Sequence, residues 1–300
     1  MVVVWSDQRV SEDLELATRT LGDAGPRVAF VHGLFGQGRN WTTIARRLAD
    51  PTADGPGHRV TLVDLPNHGH SPWTDRVDYV DMAELLAGLL ASWGEPVTLV
   101  GHSMGGKVAM QLALRHPELL RALVVVDISP SSYPETGGRT DDPDEEASPF
   151  AAFIAAMQAI DLAGLETRED ADAALREAVP SDMVRGFLLQ SLVRDGTRGW
   201  RWRLNLDTLG RDLGELRGFP KPPPGAVFAG PVLWISGADS TYVLPEDRPR
   251  MDELFPAVRL LRVKNAGHWV HSEAPEVFTE AVRRFLDGVE QRHGLAQVEA

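Results

Sequence analysis

The feature that most constrains the fold of this chain is the stretch V-T-L-V-G-H-S-M-G-G-K-V at residues 97–108. An apolar run ends at Gly101, Ser103 follows two positions later, and a segment compatible with a helix begins directly afterwards. A serine hydroxyl is a weak nucleophile, and a sharp strand-to-helix turn of the form G-x-S-x-G presents it to a base. The glycines leave room where strand, turn and helix crowd together. We therefore predict that Ser103 is a nucleophile carried on such a turn.

A glycine-rich loop follows an earlier strand, in the stretch V-A-F-V-H-G-L-F-G-Q-G at residues 28–38. The loop lacks both G-x-x-x-x-G-K-[ST] and G-x-G-x-x-G, so it is a weak candidate for nucleotide binding. Together with the downstream serine, it instead predicts an oxyanion hole formed by the backbone N–H groups of Leu34 and Met104. His32 is a candidate base in its own right, but a structural histidine that braces the loop is the preferred interpretation.

Two aspartates and one histidine complete the candidate chemistry. Asp127 and Asp239 each follow an apolar strand, at the edge where open α/β sheets bind ligands. His268 lies on a loop after the last predicted strand, and the chain order Ser, Asp, His is an established one for a nucleophile, its acid and its base. We therefore predict that His268 is the general base, with either aspartate as its acid.

Composition excludes several other functions. The 300 residues carry a formal net charge of −13, which argues against nucleic acid or an anionic membrane as a partner. The sequence contains no run of about 18 apolar residues, so no transmembrane helix is predicted. The apolar start at residues 1–5 is too short for a signal peptide, and a cytoplasmic location is therefore expected. The absence of cysteine excludes disulfides and thiol catalysis. His68 and His70 lack the companion ligands of a zinc site, and we predict no metal.

Strand-like and helix-like segments alternate along most of the chain, which predicts an α/β fold with a mostly parallel central sheet flanked by helices. Residues 1–130 and 229–300 are assigned to this core. Residues 131–228 are assigned to an inserted helical cap, because residues 151–216 show helical periodicity without strand–helix alternation. Residues 134–147, rich in Gly, Pro, Asp and Glu, are predicted to form an acidic mobile loop.

Substrate contacts are predicted from aromatic and histidine side chains. In the cap, Trp200, Trp202 and Leu204 are candidates for lining a pocket, and packing of cap against core is an equally open alternative. The complete set of predicted substrate contacts is His32, Phe35, His102, Trp202 and Trp269.

Five motifs carry a resemblance to a known family: H-G-L-F-G at 32–36, V-D-L-P-N-H-G-H-S-P at 63–72, G-H-S-M-G-G-K at 101–107, V-D-I-S-P at 126–130 and A-G-H-W-V-H at 266–271. On these motifs the chain resembles the α/β-hydrolase superfamily over nearly its whole length outside the acidic loop. It is similar in particular to the small carboxylesterase and thioesterase group that includes YbfF and α/β-hydrolase domain protein 11. The resemblance implies a nucleophile at Ser103, a base at His268 and oxyanion amides at Leu34 and Met104, with no cofactor.

The same resemblance bears on the acid. Most of the superfamily carries Asp at the position of Asp239, whereas the close relatives tend to carry Asn there, in a G-G-N-S stretch. Asparagine does not stabilise an imidazolium as a carboxylate does, so the acid of those relatives must come from elsewhere. Asp127, within V-D-I-S-P, is the matching residue. We therefore favour Asp127 as the acid and keep Asp239 as the alternative.

The expected function is a serine hydrolase that cleaves small-molecule carboxylic esters or thioesters through an acyl-enzyme. C–C bond hydrolysis, perhydrolysis and lactone opening use the same Ser-His pair and stay open as alternatives. A non-catalytic binding module on the same fold also stays open, because fold does not determine function. Dehalogenase and epoxide hydrolase chemistry is disfavoured, since those enzymes resemble this fold with Asp where this chain has Ser103. The sequence does not indicate the acyl-chain length, the physiological substrate or the oligomeric state.

Overall fold

A computed structural model of the protein describes residues 14–51, 57–133, 149–196 and 199–298, with side chains described up to residue 292. The apolar start at residues 1–5 and the acidic loop predicted at residues 134–147 lie outside these ranges.

A seven-stranded sheet forms the centre of the described molecule. Its strands lie in the order β1-β3-β2-β4-β5-β8-β9, and all neighbours are parallel except β1, which is antiparallel to β3. The predicted α/β fold with a mostly parallel sheet is therefore confirmed. Parallel strands all end at one edge of the sheet, so the loops that follow β2, β4, β5, β8 and β9 meet there. The strands are β1 (Thr18–Leu21), β2 (Arg27–Val31), β3 (Arg59–Val63), β4 (Val97–His102), β5 (Leu120–Val126), β8 (Val232–Gly237) and β9 (Val258–Val263).

Helices cover both faces of the sheet, because alternate residues of each buried strand point to opposite sides. On one side the core includes Ile44 of α1 and Phe278 of α11, and on the other side it includes Leu86 of α2 and Val108 of α3. No helix within the described ranges is both long and apolar enough to cross a membrane. The helices of this core are α1 (Thr42–Ala49), α2 (Tyr79–Ala91), α3 (Met104–Arg115), α9 (Arg248–Leu254), α10 (Val270–Glu273) and α11 (Pro275–Val298).

The segment between β5 and β8 forms a mostly helical insertion, as predicted, but it also contains a pair of short strands. The strands β6 (Leu192–Arg194) and β7 (Trp200–Trp202) are antiparallel, and the sequence pattern did not predict them. Side-chain caps begin three of the helices, because Thr167, Ser181 and Asn205 each accept a hydrogen bond from a first-turn amide. The helices are α4 (Phe150–Gln158), α5 (Arg168–Leu175), α6 (Asp182–Leu189), α7 (Leu206–Arg211) and α8 (Leu213–Arg217). The boundaries 131 and 228 stay a prediction.

Polar contacts hold this insertion over the carboxyl edge of the sheet. Asn40 of the core donates from Nδ2 to Oε1 of Gln190, at the end of α6, over 2.7 Å. The fully buried Lys107 of α3 donates from Nζ to the backbone oxygens of Arg217 and Gly218, at 2.9 and 2.5 Å. A lysine that meets the last carbonyls of a helix satisfies groups that lack intrahelical partners. These contacts join the ends of α6 and α8 to the core.

Candidate active site

Ser103 lies on a strained turn between β4 and α3. Its φ of 52° and ψ of −119° are unfavourable for a residue with a Cβ, at a cost of about 1–3 kcal/mol. The surrounding glycines are required by space, because a Cβ built at Gly101 would lie 2.3 Å from the Gly105 oxygen, and one at Gly105 would lie 2.4 Å from the His32 oxygen. The strand, turn and helix therefore pack together only with glycine at these positions.

Three side chains form a hydrogen-bonded chain at the carboxyl edge of the sheet. Ser103 Oγ lies 3.0 Å from Nε2 of His268, and Nδ1 of His268 lies 2.8 Å from Oδ2 of Asp127. The Asp127 side chain is fully buried, and that of His268 is 11% exposed. An ionised carboxylate only accepts, so His268 carries its proton on Nδ1 and presents Nε2 as the acceptor of the serine proton.

The buried carboxylate of Asp127 has two further donors, one from the last residue of β8 and one from the segment that follows this strand. The Gly237 amide donates to Oδ1 at 3.0 Å, and Ser240 Oγ donates to Oδ2 at 2.5 Å. Asp239, from the same segment, is exposed, and no side-chain hydrogen bond from it occurs in the described part of the chain. The structure thus places the Asp127 carboxylate against His268 and leaves Asp239 outside this hydrogen-bonded chain. Sequence reasoning missed Ser240, although this serine directly follows Asp239, one of the two candidate acids.

The ring and backbone of His268 are held by two further side chains. The ring of Tyr242 stacks on the imidazole, with centroids 4.0 Å apart and planes at 25°. His102 donates from Nε2 to the backbone oxygen of His268 over 2.9 Å. Burial holds the pKa of His102 well below its usual value, and the nearby charges of His271 and His268 lower it further. His102 is therefore a neutral donor that positions the loop of His268.

The two amides predicted to form an oxyanion hole lie next to Ser103. Met104 is the first residue of the 12-residue helix α3, so its N–H has no intrahelical partner. The N–H of Leu34 likewise has no backbone or side-chain acceptor within the described ranges. Both amides are therefore available to an oxygen bound beside Ser103, and the positive end of the α3 dipole points to the same place.

Two buried histidines brace the loop that carries Leu34. Nε2 of His68 accepts a hydrogen bond from the Phe35 amide over 3.2 Å. Nε2 of His32 accepts one from the Leu65 amide over 3.0 Å. Each histidine also donates from Nδ1 to a nearby backbone oxygen. Burial lowers the pKa of both histidines. The pKa of His68 falls to about 3, because burial and the nearby charge of His32 act in the same direction. His32 does not line the active-site cavity, so its predicted substrate contact is replaced by the bracing role. Sequence reasoning missed the role of His68.

A narrow apolar cavity lies above Ser103 and His268. Most of its wall is aliphatic or aromatic, and the cap supplies residues from α4 and α6. Such a surface favours an acyl chain over a polar group. The cavity is lined by Leu34, Phe35, His102, Ser103, Phe150, Phe153, Val184, Phe187, Leu188, His268 and Trp269.

The predicted substrate contacts differ in their placement. Phe35, His102 and Trp269 line the cavity, whereas Trp202 does not. Trp202 is 6% exposed and donates from Nε1 to the backbone oxygen of Met157 over 3.1 Å, so it packs inside the cap, which corrects its predicted substrate contact. Phe187 of α6 is a lining residue that the sequence did not single out, because a phenylalanine on a helical stripe looks the same whether it faces a core or a cavity.

Comparisons with known proteins identify the fold family of the chain. Residues 26–275 match the family model described as alpha/beta hydrolase fold. The chain is 42% identical over 271 residues to the sn-1-specific diacylglycerol lipase ABHD11 of Mus musculus, covering 88% of this chain and 82% of the mouse protein. It is 34% identical over 261 residues to esterase YbfF of Escherichia coli, covering 87% of this chain and 92% of that protein.

A solved structure described as a marine microorganism esterase superposes on the chain with a TM-score of 0.82 at 33% identity, covering 91% of this chain and 99% of that one. The family match spans well over half of the chain, and the relatives share most of their own length with it. The chain therefore belongs to the α/β-hydrolase fold family, and within that family to the esterase-type serine hydrolases.

Proposed function

We propose that the protein hydrolyses carboxylic esters through an acyl-enzyme on Ser103, with His268 as the general base and Asp127 as the acid. The observation that carries this proposal is the hydrogen-bonded chain from Ser103 Oγ to His268 Nε2 and from His268 Nδ1 to the buried Asp127, at the base of an apolar cavity. The exposure of Asp239 favours Asp127 over the alternative acid.

The first half of the reaction follows from the donor and acceptor roles in this chain. Ser103 Oγ attacks the ester carbonyl carbon while its proton passes to Nε2 of His268. The imidazolium so formed lies 2.8 Å from the carboxylate of Asp127, which stabilises its charge. The carbonyl oxygen becomes negative and accepts hydrogen bonds from the amides of Leu34 and Met104. Each such donor is worth on the order of 3 kcal/mol in the barrier.

The second half regenerates the serine. The tetrahedral intermediate expels the alcohol, which takes the proton from Nε2 of His268 and leaves the acyl group bonded to Ser103 Oγ. A water molecule then attacks the acyl carbon and gives one proton to Nε2. Collapse of the second intermediate breaks the bond to Oγ, which recovers the proton from His268, and the carboxylic acid departs.

The walls of the cavity support a substrate with an apolar acyl group. Cap residues Phe150, Phe153 and Phe187 face the same space as Ser103, so the acyl chain is proposed to lie between α4, α6 and the core. The name of the mouse relative makes diacylglycerol the first lipid ester to test. Cleavage of thioesters and a cytoplasmic location stay predictions of the sequence.

The experiment is hydrolysis of p-nitrophenyl butyrate and of diacylglycerol by the wild type, Ser103→Ala and the control Ser92→Ala, an exposed serine at the end of α2. Ser103→Ala is expected to lose about 10⁴-fold or more of kcat and its labelling by a fluorophosphonate, while Ser92→Ala keeps both. A panel of acyl-CoA thioesters assayed in parallel separates ester from thioester preference. Activity of Ser103→Ala within about tenfold of the wild type, with the fold intact, contradicts the proposal.

A further inference from the structure

A second recess of about 380 Å³ lies at the seam between the core and the cap, and the loop that follows β2 forms part of its wall. Leu34 and Phe35 of this loop line the active-site cavity, and a few residues later Gly38 and Arg39 line the recess. The cap contributes Arg203, which directly follows β7. The recess is therefore built from both parts of the molecule.

Arg203 is the unusual residue of this recess. Its Nε is buried without a hydrogen-bond partner, and its guanidinium makes no other side-chain hydrogen bond in the part of the chain that the structure describes. A buried donor without an acceptor is unfavourable, and native proteins leave few of them. Arg203 as a residue also lines the open recess, so its remaining guanidinium donors are matched to a ligand that supplies acceptor oxygens.

The charges around the recess favour an anion. Three arginines line it, namely Arg19, Arg39 and Arg203, against one carboxylate, that of Asp64. Asp64 is already engaged, because its Oδ1 accepts from the Gly38 amide at 2.6 Å and its Oδ2 accepts from the amide of His70 at 2.8 Å. In a chain with a formal net charge of −13, such an excess of positive charge in a concave site is a local exception.

Arg39 lies close to other cations and has donors to spare. Its side chain makes one hydrogen bond in the described ranges, from Nη2 to the backbone oxygen of Gln190 over 2.5 Å. The pKa of Arg39 is lowered from its usual value, chiefly because part of the group is removed from water and further because the charges of Arg203 and Arg168 lie near it. The carboxylate of Asp64 offsets part of the repulsion between these like charges, and a bound anion relieves more of it.

We propose that Arg39 and Arg203 form a binding site for a phosphate dianion, either inorganic phosphate or the phosphomonoester end of a larger molecule. Guanidinium groups bind phosphate through paired N–H···O bonds, and here one group comes from the core and the other from the cap. A bound phosphate links the two parts beside the loop that carries the Leu34 amide. The site is independent of the catalytic assignment, since none of its residues touches Ser103, His268 or Asp127.

The test is isothermal titration calorimetry at constant ionic strength, with wild type, Arg39→Gln, Arg203→Gln and the control Arg201→Gln. Arg201 is an exposed arginine of β7 that pairs with Asp195 and does not line the recess. Three probes are used in separate arms: inorganic phosphate, glycerol 3-phosphate, and phosphatidylcholine vesicles with or without phosphatidic acid. Saturable binding by the wild type is expected, weakened about tenfold or more in both recess variants and unchanged in Arg201→Gln.

The arms identify the source of the phosphate. Equal affinity for the two soluble probes indicates free phosphate, tighter binding of glycerol 3-phosphate indicates an organic monoester, and a response confined to phosphatidic acid vesicles indicates a lipid headgroup. Absence of saturable binding in every arm overturns the proposal. It is equally overturned if both recess variants bind as the wild type does, or if Arg201→Gln loses as much affinity as they do. If Arg203→Gln fails to fold, Arg39→Gln and the wild-type titrations decide the matter.

Discussion

Replacing Asp127 by asparagine is expected to reverse the hydrogen bonding of His268 while preserving the shape of the site. The two carboxylate oxygens have different partners, because Oδ1 accepts from the Gly237 amide and Oδ2 accepts from His268 Nδ1 and Ser240 Oγ. An asparagine that keeps its oxygen toward Gly237 places its NH₂ group against Nδ1 of His268. The opposite orientation would place two donors, the NH₂ group and the Gly237 N–H, against each other.

The favoured asparagine orientation makes Nδ1 of His268 an acceptor, so the imidazole proton moves to Nε2. That nitrogen lies 3.0 Å from Ser103 Oγ and is then unable to take the serine proton. The variant also lacks the buried negative charge that stabilises an imidazolium. The equivalent substitution in a serine protease lowers kcat by about 10⁴, which corresponds to about 5.5 kcal/mol in the barrier. We expect a loss of up to this size.

Asp239→Asn is the matched control, because it makes the same chemical change at the exposed aspartate of the neighbouring strand end. Its kcat is expected to fall by less than about tenfold. Both variants are assayed on p-nitrophenyl butyrate at one pH, with thermal unfolding to show that each is folded. A large loss of kcat in Asp239→Asn, together with a kcat close to the wild type in Asp127→Asn, would refute the assignment of Asp127 as the acid.

Three further outcomes are expected. Ser240→Ala, which removes a hydrogen bond to the buried carboxylate, should lower kcat by roughly tenfold with little change in KM, measured by steady-state kinetics. Phe187→Ala should change the ratio of kcat/KM for octanoyl over butyryl esters, whereas Trp202→Ala should leave that ratio unchanged and lower the thermal stability. The free energy of unfolding should fall as pH drops from 6.5 to 5. His68 stays neutral in the folded protein, where its pKa is about 3, but takes up a proton when the protein unfolds. This proton uptake lowers the free energy of unfolding by about 1.4 kcal/mol per pH unit. Urea unfolding at both pH values should show a smaller loss in His68→Gln, and an equal loss would contradict this explanation.

The sequence by itself determined the fold class and the local frame of the site. The turn at Ser103 is encoded by contiguous residues, since strand, glycines and helix lie within one short stretch, and the structure has β4, the strained turn and α3 in that place. The oxyanion loop after β2 is local in the same sense. The apolar runs that precede Gly101, Asp127 and Asp239 are likewise strands of the sheet, because buried parallel strands are continuous apolar runs.

Sequence patterns did not distinguish the cap residues that line the cavity from those that pack within the cap. Trp202 and Phe187 both lie on apolar faces, and burial against another helix or against an open space has the same hydrophobic signature. The structure distinguishes the two residues. Trp202 is hydrogen-bonded to the backbone oxygen of Met157 inside the cap, whereas Phe187 faces the space above Ser103. The orientation of the cap on the core decides which face of each helix meets the cavity, and that orientation depends on contacts between distant parts of the chain.

Only the tertiary structure decided which aspartate meets His268. Asp127 and Asp239 follow β5 and β8, which are neighbouring parallel strands, so both aspartates lie at the same edge of the sheet. The sequence favoured Asp127 only through a resemblance to a known family. The choice depends on the direction in which each residue leaves its strand. Asp127 turns inward with a φ of 49° and is enclosed by Gly237 and Ser240, whereas the backbone N–H of Asp239 bonds to the Ala266 oxygen and its side chain faces water. The contacts of Asp127 with Gly237 and Ser240 join residues more than a hundred positions apart, and no local pattern of amino acids encodes them.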